Sequence, residues 1–136
     1  MNSPNKKIIQ LEKVSQNARD TVVLCHGHFN IIHPGHIRFL DYASQQGNKL
    51  VVSIEGDTPF FNSKQKHHFK EAERAAGVAS IQNVDQVVLL SEGNLEKLIK
   101  VLKPAVLVLG KEFESEREDQ VLSLIHISEP TRLGMI

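Results

Sequence analysis

Residues 22–36 read VVLCHGHFNIIHPGH, and this stretch decides the fold. Its apolar beginning is typical of a buried strand, and the run 37–43 that follows has the amphipathic spacing of a helix. The loop between them contains glycine and ends at a helix N-terminus, where main-chain N–H groups and the helix dipole attract phosphate. His33 and His36 lie at that point, so we expect them to face the phosphates of a nucleotide.

Apolar segments of two kinds alternate along the rest of the chain. Strands are predicted at 21–26, 50–54, 84–90 and 105–110, and helices at 37–43, 69–79 and 95–102. A weak helical stripe over residues 8–14 predicts a further short helix before the first strand. The alternation predicts an α/β fold with a doubly wound, Rossmann-like parallel sheet in a single domain. Ligands of such sheets bind at the carboxyl ends of the strands.

Composition excludes several classes of partner. The 136 residues carry 16 basic and 16 acidic side chains, so we expect neither nucleic acid nor an anionic membrane as a partner. Cys25 is the single cysteine, which excludes an internal disulfide and a cysteine-rich zinc site, and we interpret it as a small buried hydrophobe. The two histidines lack a third ligand at a recognisable spacing, so no metal site is predicted. Without a long apolar run, a cytoplasmic protein is predicted.

The histidine stretch also carries a family resemblance. Gly27-His28-Phe29-Asn30, followed by His33-Pro34-Gly35-His36, resembles the G-x-F-D-x-x-H-x-G-H signature of the cytidylyltransferase-like nucleotidyltransferases. Within that family, residues 7–114 are most similar to the sugar-phosphate adenylyltransferase domains of ADP-heptose synthesis. Asn30 departs from the pattern, since the family usually has Asp there. The resemblance divides the chain into a lead-in at 1–20, a nucleotidyltransferase domain at 21–114 and a remainder at 115–136.

The resemblance implies an activity and a set of site residues. The activity is transfer of AMP or CMP from ATP or CTP to a phosphorylated sugar or polyol, with release of pyrophosphate and with Mg²⁺ on the phosphates. The implied catalytic residues are His33, His36 and Lys66. The implied nucleotide-binding residues are Gly27, His28, Phe29, Asn30, Gly35, Lys64, Gly110 and Glu112. A homodimer is compatible with the resemblance. The alternative for the two histidines is a structural pair at a helix start.

The loop after the second strand matches the family unevenly. Asn62 stands where the family has a phosphate-binding Lys, and Lys64 is the nearby residue that could substitute for it. Lys66 stands where the family has an Arg. Solvated loop charge is the alternative interpretation of both lysines. Arg74 matches the family, and we interpret it as paired with an acid such as Glu71.

The end of the chain is predicted to be foreign to the fold. Residues 122–132, LSLIHISEPTR, resemble the translation of a transposon-derived sequencing adapter. On this interpretation the domain lacks its last strand and helix. The alternative is a native short strand at 121–127.

Two other functions fit parts of the sequence. A binding module that holds a nucleotide without turning it over would explain Asn30 and Asn62. A fragment of a class I aminoacyl-tRNA synthetase would explain His33-Pro34-Gly35-His36, which resembles that family's H-I-G-H motif. The short, neutral chain without a K-M-S-K-S-like stretch speaks against the synthetase.

Overall fold

A parallel sheet forms the centre of the molecule. The structure is a computed structural model and describes residues 4–17, 19–30, 32–57, 69–91, 94–109 and 132–135. The strands are β1 Ile8–Ile9, β2 Val22–Gly27, β3 Lys49–Glu55, β4 Gln86–Leu90, β5 Val106–Leu109 and β6 Arg132–Met135. The helices are α1 Pro34–Ser44, α2 Glu71–Ala79 and α3 Leu95–Leu102, with single 3₁₀ turns at Pro4–Lys7 and Leu11–Lys13. The sheet order is β1-β4-β3-β2-β5-β6, and every neighbouring pair is parallel.

Strand β2 lies between two apolar layers. All six of its residues are buried, as a central parallel strand covered on both faces requires. Val22 and Leu24 belong to the core under α3, whereas Val23 and Cys25 belong to the core under α1 and α2. The predicted continuous apolar strand is therefore confirmed, with its side chains alternating between the two layers.

Helix α3 follows the sequence pattern most closely. The apolar residues at i, i+3, i+4 and i+7 are all buried: Leu95, Leu98, Ile99 and Leu102. The helix ends at Lys103, whose φ of 48° is left-handed, and Pro104 follows. Helix α1 is less regular, because Leu40 and Ala43 are buried while Tyr42 is 58% exposed.

The order of the strands creates a switch point beside β2. From β2 the chain passes through α1 and α2 to β3 and β4 on one side. Helix α3 then returns it across the sheet to β5 on the other side of β2. Doubly wound sheets bind ligands at the carboxyl ends of the strands on either side of such a reversal. The predicted fold class is confirmed, and the crevice lies where β2 and β5 end.

Both margins of the sheet differ from expectation. The predicted helix over residues 8–14 is wrong: Ile8 and Ile9 form β1, which pairs with Val87 and Val88 of β4. The open edge of β4 offers unpaired main-chain groups, and pairing with them outweighs a weak helical stripe. At the other margin, β6 pairs with β5 and lies in the segment predicted to be foreign to the fold. The alternative strand at 121–127 lies outside the described residues.

Candidate functional site

Buried polar side chains gather at one end of the sheet. Among the described residues, five polar or charged residues are buried: His26, His28, Ser53, Glu55 and Arg74. Four of them belong to the last residues of β2 and β3 or directly follow β2, and Arg74 reaches the same place from α2. Burying polar groups costs free energy unless they are hydrogen-bonded, so this concentration marks a specialised end of the molecule.

The turn after β2, residues 27–30, is anchored by an aromatic ring. Phe29 is 6% exposed and belongs to the core under α1 and α2, yet its φ is 51°, in the left-handed region. A bulky residue rarely adopts this conformation, and such strain is usually held in place by surrounding contacts at functional sites. The Phe29 ring lies with its centroid 5.7 Å from that of His36, which joins the turn to the start of α1.

His33 and His36 form a reciprocal cap at the start of α1. Nδ1 of His33 accepts a hydrogen bond from the Gly35 N–H at 3.0 Å, and Nδ1 of His36 accepts one from the His33 N–H at 3.2 Å. An imidazole nitrogen that accepts has no proton, so the proton of each neutral ring is on Nε2. The ring centroids are 4.0 Å apart. Two Nε2–H donors are thus held close together on exposed or half-buried side chains.

This cap changes one part of the sequence prediction. Main-chain N–H groups at the helix N-terminus were expected to receive phosphate, but Pro34 has none and the Gly35 N–H is bound to His33. The imidazoles therefore take the place of the main chain as donors in the first turn. Gly35 has a steric role, because a Cβ there would lie 2.7 Å from Cε1 of His33 and displace the ring.

Arg74 ties three segments together from a position that is 2% exposed. Its NH1 donates to the carbonyls of His28 at 2.8 Å and Glu55 at 2.6 Å, its Nε donates to the carbonyl of Phe69 at 2.9 Å, and its NH2 pairs with Asp57 at 3.1 Å. The interpretation of Arg74 as a structural residue is confirmed, but its acid is Asp57. The expected partner fails because Glu71 instead accepts from the Asp57 N–H and the Ser91 hydroxyl.

A second polar group was missed by the sequence analysis. His26 lies between Ser53 and Glu55 of the neighbouring strand: its Nδ1 is 2.7 Å from the Ser53 hydroxyl, and its Nε2 bonds the Glu55 carboxylate. All three residues are at most 1% exposed. A signal was present, since each is a polar residue near the carboxyl end of an otherwise apolar strand. The predicted site residues begin only at Gly27, so this group falls outside them.

A pocket of about 350 Å³ opens beside the turn. It lies between the turn and α2, and its walls are Phe29, Asn30, Ile32, Phe69, Glu73, Arg74 and Gly77. Asn30 is half-buried and lines this pocket. A larger cleft of about 640 Å³ lies away from the histidines, between residues 8–12 and the end of β4. The smaller pocket is therefore the one continuous with the candidate site.

The structure brings together most of the predicted site residues. Those at the end of β2 and the start of α1 are Gly27, His28, Phe29, Asn30, His33, Gly35 and His36. The other predicted residues, Lys64, Lys66, Gly110 and Glu112, lie outside the described residues, as does Asn62.

Cys25 is not available for chemistry at this site. It is fully buried in β2, and burial raises the pKa of its thiol to about 12, so the nucleophilic thiolate is disfavoured. In the described part of the chain, no three His, Cys, Asp or Glu side chains are grouped so as to hold a metal ion. None of its helices has the length and apolar character needed to cross a membrane.

Comparison with known proteins gives consistent similarities. Residues 24–129 match the sequence profile of the family described as Cytidylyltransferase-like. The chain is 36% identical over 103 residues to the bifunctional protein HldE of Gluconobacter oxydans, covering 74% of this chain and 21% of that protein. It is 34% identical over 118 residues to the HldE protein of Helicobacter pylori strain J99, covering 83% of this chain and 26% of that protein. The chain thus spans about a quarter or less of these relatives.

Solved structures resemble the fold as a whole. The lipopolysaccharide core biosynthesis protein of Thermoplasma volcanium superposes with a TM-score of 0.74 at 26% identity, covering 86% of this chain and 96% of that one. Pantoate-β-alanine ligase of Francisella tularensis superposes with a TM-score of 0.60 at 17% identity, covering 88% of this chain and 60% of that one. The second similarity concerns the fold alone.

Proposed function

The chain belongs to the cytidylyltransferase-like family, and from this premise we propose that it transfers AMP or CMP from ATP or CTP to a phosphorylated sugar or polyol. The observation that carries the proposal is the pair of histidines whose Nδ1 atoms are fixed by main-chain N–H groups at the switch point. The HldE relatives and the lipopolysaccharide protein favour a sugar phosphate as acceptor. Comparing pyrophosphate release from ATP and from CTP, in the assay described below, distinguishes adenylyl from cytidylyl transfer.

The proposed reaction is a single displacement at phosphorus. An oxygen of the acceptor phosphate attacks the α-phosphorus of the nucleotide, the bond from that phosphorus to the bridging oxygen breaks, and pyrophosphate leaves with the electron pair. Negative charge grows on the leaving oxygen and spreads over the equatorial ones. Nε2–H donors of His33 and His36 would stabilise this charge, and each such preorganised donor is worth about 3 kcal/mol. No covalent enzyme intermediate is needed.

We propose that the nucleotide reacts as its magnesium complex. In the described part of the chain no three His, Cys, Asp or Glu side chains are grouped to hold a metal ion, and the Asp57 carboxylate is paired with Arg74. Magnesium commonly keeps several waters and binds chiefly to substrate phosphates, which suits such a site. The ion would then arrive with the nucleotide and neutralise the charge on the departing pyrophosphate. Lys64 and Lys66, which lie between β3 and α2 in the sequence, are proposed to assist.

The proposal also covers the location, the class of partner and the oligomeric state of the protein. A cytoplasmic location would supply the nucleoside triphosphate that the reaction consumes. The equal numbers of basic and acidic residues support small anionic substrates over nucleic acid or an anionic membrane. A homodimer stays a prediction.

The His33→Asn variant tests the proposed catalytic role of His33 separately from its role as a helix cap. Asparagine is among the preferred N-cap residues, so His33→Asn should keep the cap while removing the Nε2–H donor. We expect pyrophosphate release from ATP or CTP with sugar phosphates to fall about 100-fold to 1000-fold at unchanged melting temperature. Tyr42→Ala, on the exposed face of the same helix, is the matched control and should retain full turnover. Full turnover in His33→Asn would refute the assignment.

One observation favours a second candidate, a nucleotide-binding module without turnover. Asn30 lines the pocket beside the turn, where an amide cannot supply the negative charge of the family's carboxylate. Calorimetric titration with ATP and CTP, run alongside the pyrophosphate assay, distinguishes the two candidates. Binding without release across phosphorylated sugars and polyols would favour the module, whereas release would exclude it.

A further inference from the structure

The buried group formed by His26, Ser53 and Glu55 has no part in the proposed chemistry. Its side chains lie on the α3 face of the sheet: His26 lies two residues beyond Leu24 on β2, and Ser53 and Glu55 lie two and four residues beyond Val51 on β3. Glu55 is completely buried, so its carboxylate requires a hydrogen-bonding partner, and Nε2 of His26 provides one. An apolar pair of similar volume would fill the same space at a lower cost in folding free energy, so packing alone does not explain the group.

The contacts of this group form a closed circuit around Gly27. The His26 side chain bonds the Glu55 side chain, and the Glu55 carbonyl accepts from Arg74 NH1. The same NH1 donates to the carbonyl of His28, and the main chain returns from His28 through Gly27 to His26. His26, His28, Glu55 and Arg74 are each at most 2% exposed, and Gly27 is buried. Strand pairing already joins the main chain of His26 and Gly27 to β3, and the circuit extends this attachment to His28 beyond the strand.

We propose that His26 and Glu55 are a positioning pair that sets the geometry of the turn 27–30. The His26 side chain, one residue before Gly27, bonds Glu55 on β3. Arg74 links the carbonyl of His28, one residue after Gly27, to the carbonyl of Glu55. Neither His26 nor Glu55 touches the substrate. Their effect on turnover rests on the proposed function, since the turn is where that function binds the nucleotide. Their effect on the turn itself does not depend on any activity.

Two conservative replacements of His26 test the pair. A glutamine amide nitrogen falls near the position of imidazole Nε2 and can donate to Glu55, whereas an asparagine amide falls near Nδ1 and reaches only Ser53. We expect His26→Gln to preserve the amide NMR shifts of Gly27, His28 and Phe29 in the ligand-free protein. His26→Asn should move these shifts and lower kcat/KM by roughly 100-fold, as misplacement by about 1 Å does. A packing role alone would make His26→Met, which matches glutamine in length but has no donor, behave like His26→Gln, whereas the positioning pair requires it to behave like His26→Asn.

A second pair of variants keeps the test informative if His26→Asn does not fold. Glu55→Gln retains an oxygen that accepts from Nε2–H and should leave the shifts of the turn unchanged, whereas Glu55→Ala should move them. The proposal is overturned if the shifts and kinetics of His26→Gln match those of His26→Asn, or if Glu55→Ala leaves the turn unmoved. Wild-type protein that releases no pyrophosphate would refute the proposed function, while the shift comparison would still decide the positioning pair.

Discussion

Replacing Arg74 with methionine removes the hydrogen bonds that join the turn 27–30, the end of β3 and the start of α2. Methionine fills a similar length without any donor. The carbonyls of His28 and Glu55 would then each lose a buried hydrogen-bond donor, and each such loss costs about 1–3 kcal/mol. Phe69 and Asp57 are about half exposed, so water can replace those two bonds at little cost. The expected loss in the free energy of unfolding is about 2–6 kcal/mol.

Urea and thermal denaturation measure this loss. With an unfolding entropy of about 2.1 cal/mol/K per residue, the 136-residue chain should lose about 14 °C in Tm for a cost of about 4 kcal/mol. The urea m-value should stay constant if only stability changes. Lys100→Met is the matched control, because Lys100 pairs with Glu96 at 3.3 Å on the surface, where both side chains are about half exposed. That control should change stability by less than about 1 kcal/mol. An Arg74→Met protein as stable as the control would refute the argument.

Two further predictions concern Cys25 and Gly35. Because burial raises the thiol pKa of Cys25 in the folded state from 9.0 to about 12, the unfolded state releases this proton first as the pH rises, so stability is lost between those values. Urea titrations from pH 8 to 11 should show a steeper decline for the wild type than for Cys25→Ala, and equal slopes would contradict the prediction. Gly35→Ala should displace the His33 ring, because the new Cβ would lie 2.7 Å from its Cε1, yet alanine's better helix propensity offsets the weakened cap. Pyrophosphate release should therefore fall at least tenfold while Tm changes by only a few degrees, and unchanged release would contradict the steric argument.

The sequence predicted the central part of the fold because its signals there are redundant. β2 is short, begins with an apolar run and ends in glycine, and α3 repeats apolar residues at helical spacing before a proline. Local preference and tertiary packing favour the same structure in both elements. The helix predicted at Ile8 and Ile9 was wrong because strand pairing with β4 decides their conformation. Their partners in β4 lie 79 residues further along the chain. Local periodicity carries no information about such a partner.

The positions of the two candidate histidines followed from the sequence, whereas the roles of their ring nitrogens did not. The spacing of His33 and His36 placed both at a helix start, but the acceptor role of Nδ1 depends on the cap geometry. In that geometry the main-chain N–H groups of His33 and Gly35 donate to the imidazoles, whereas the sequence pattern predicts phosphate as the acceptor of such groups. Likewise, Arg74 was recognised as structural while its acid was misassigned, because pairing with Asp57 depends on how the ends of β3 and α2 approach each other.

The distribution of buried polar groups connects stability with function in this fold. The five buried polar residues of the described chain meet at the carboxyl ends of β2 and β3, whereas the layers below them are apolar. Polar burial is costly, so a sheet under selection for stability alone would extend its apolar pattern to the strand ends. The cost is tolerated here because Arg74 bonds the His28 carbonyl of the turn and His26 bonds Glu55 across the strand ends, with a directionality that apolar contacts lack. It follows that substitutions in this group should impair turnover more than substitutions of equal destabilisation in the core under α3.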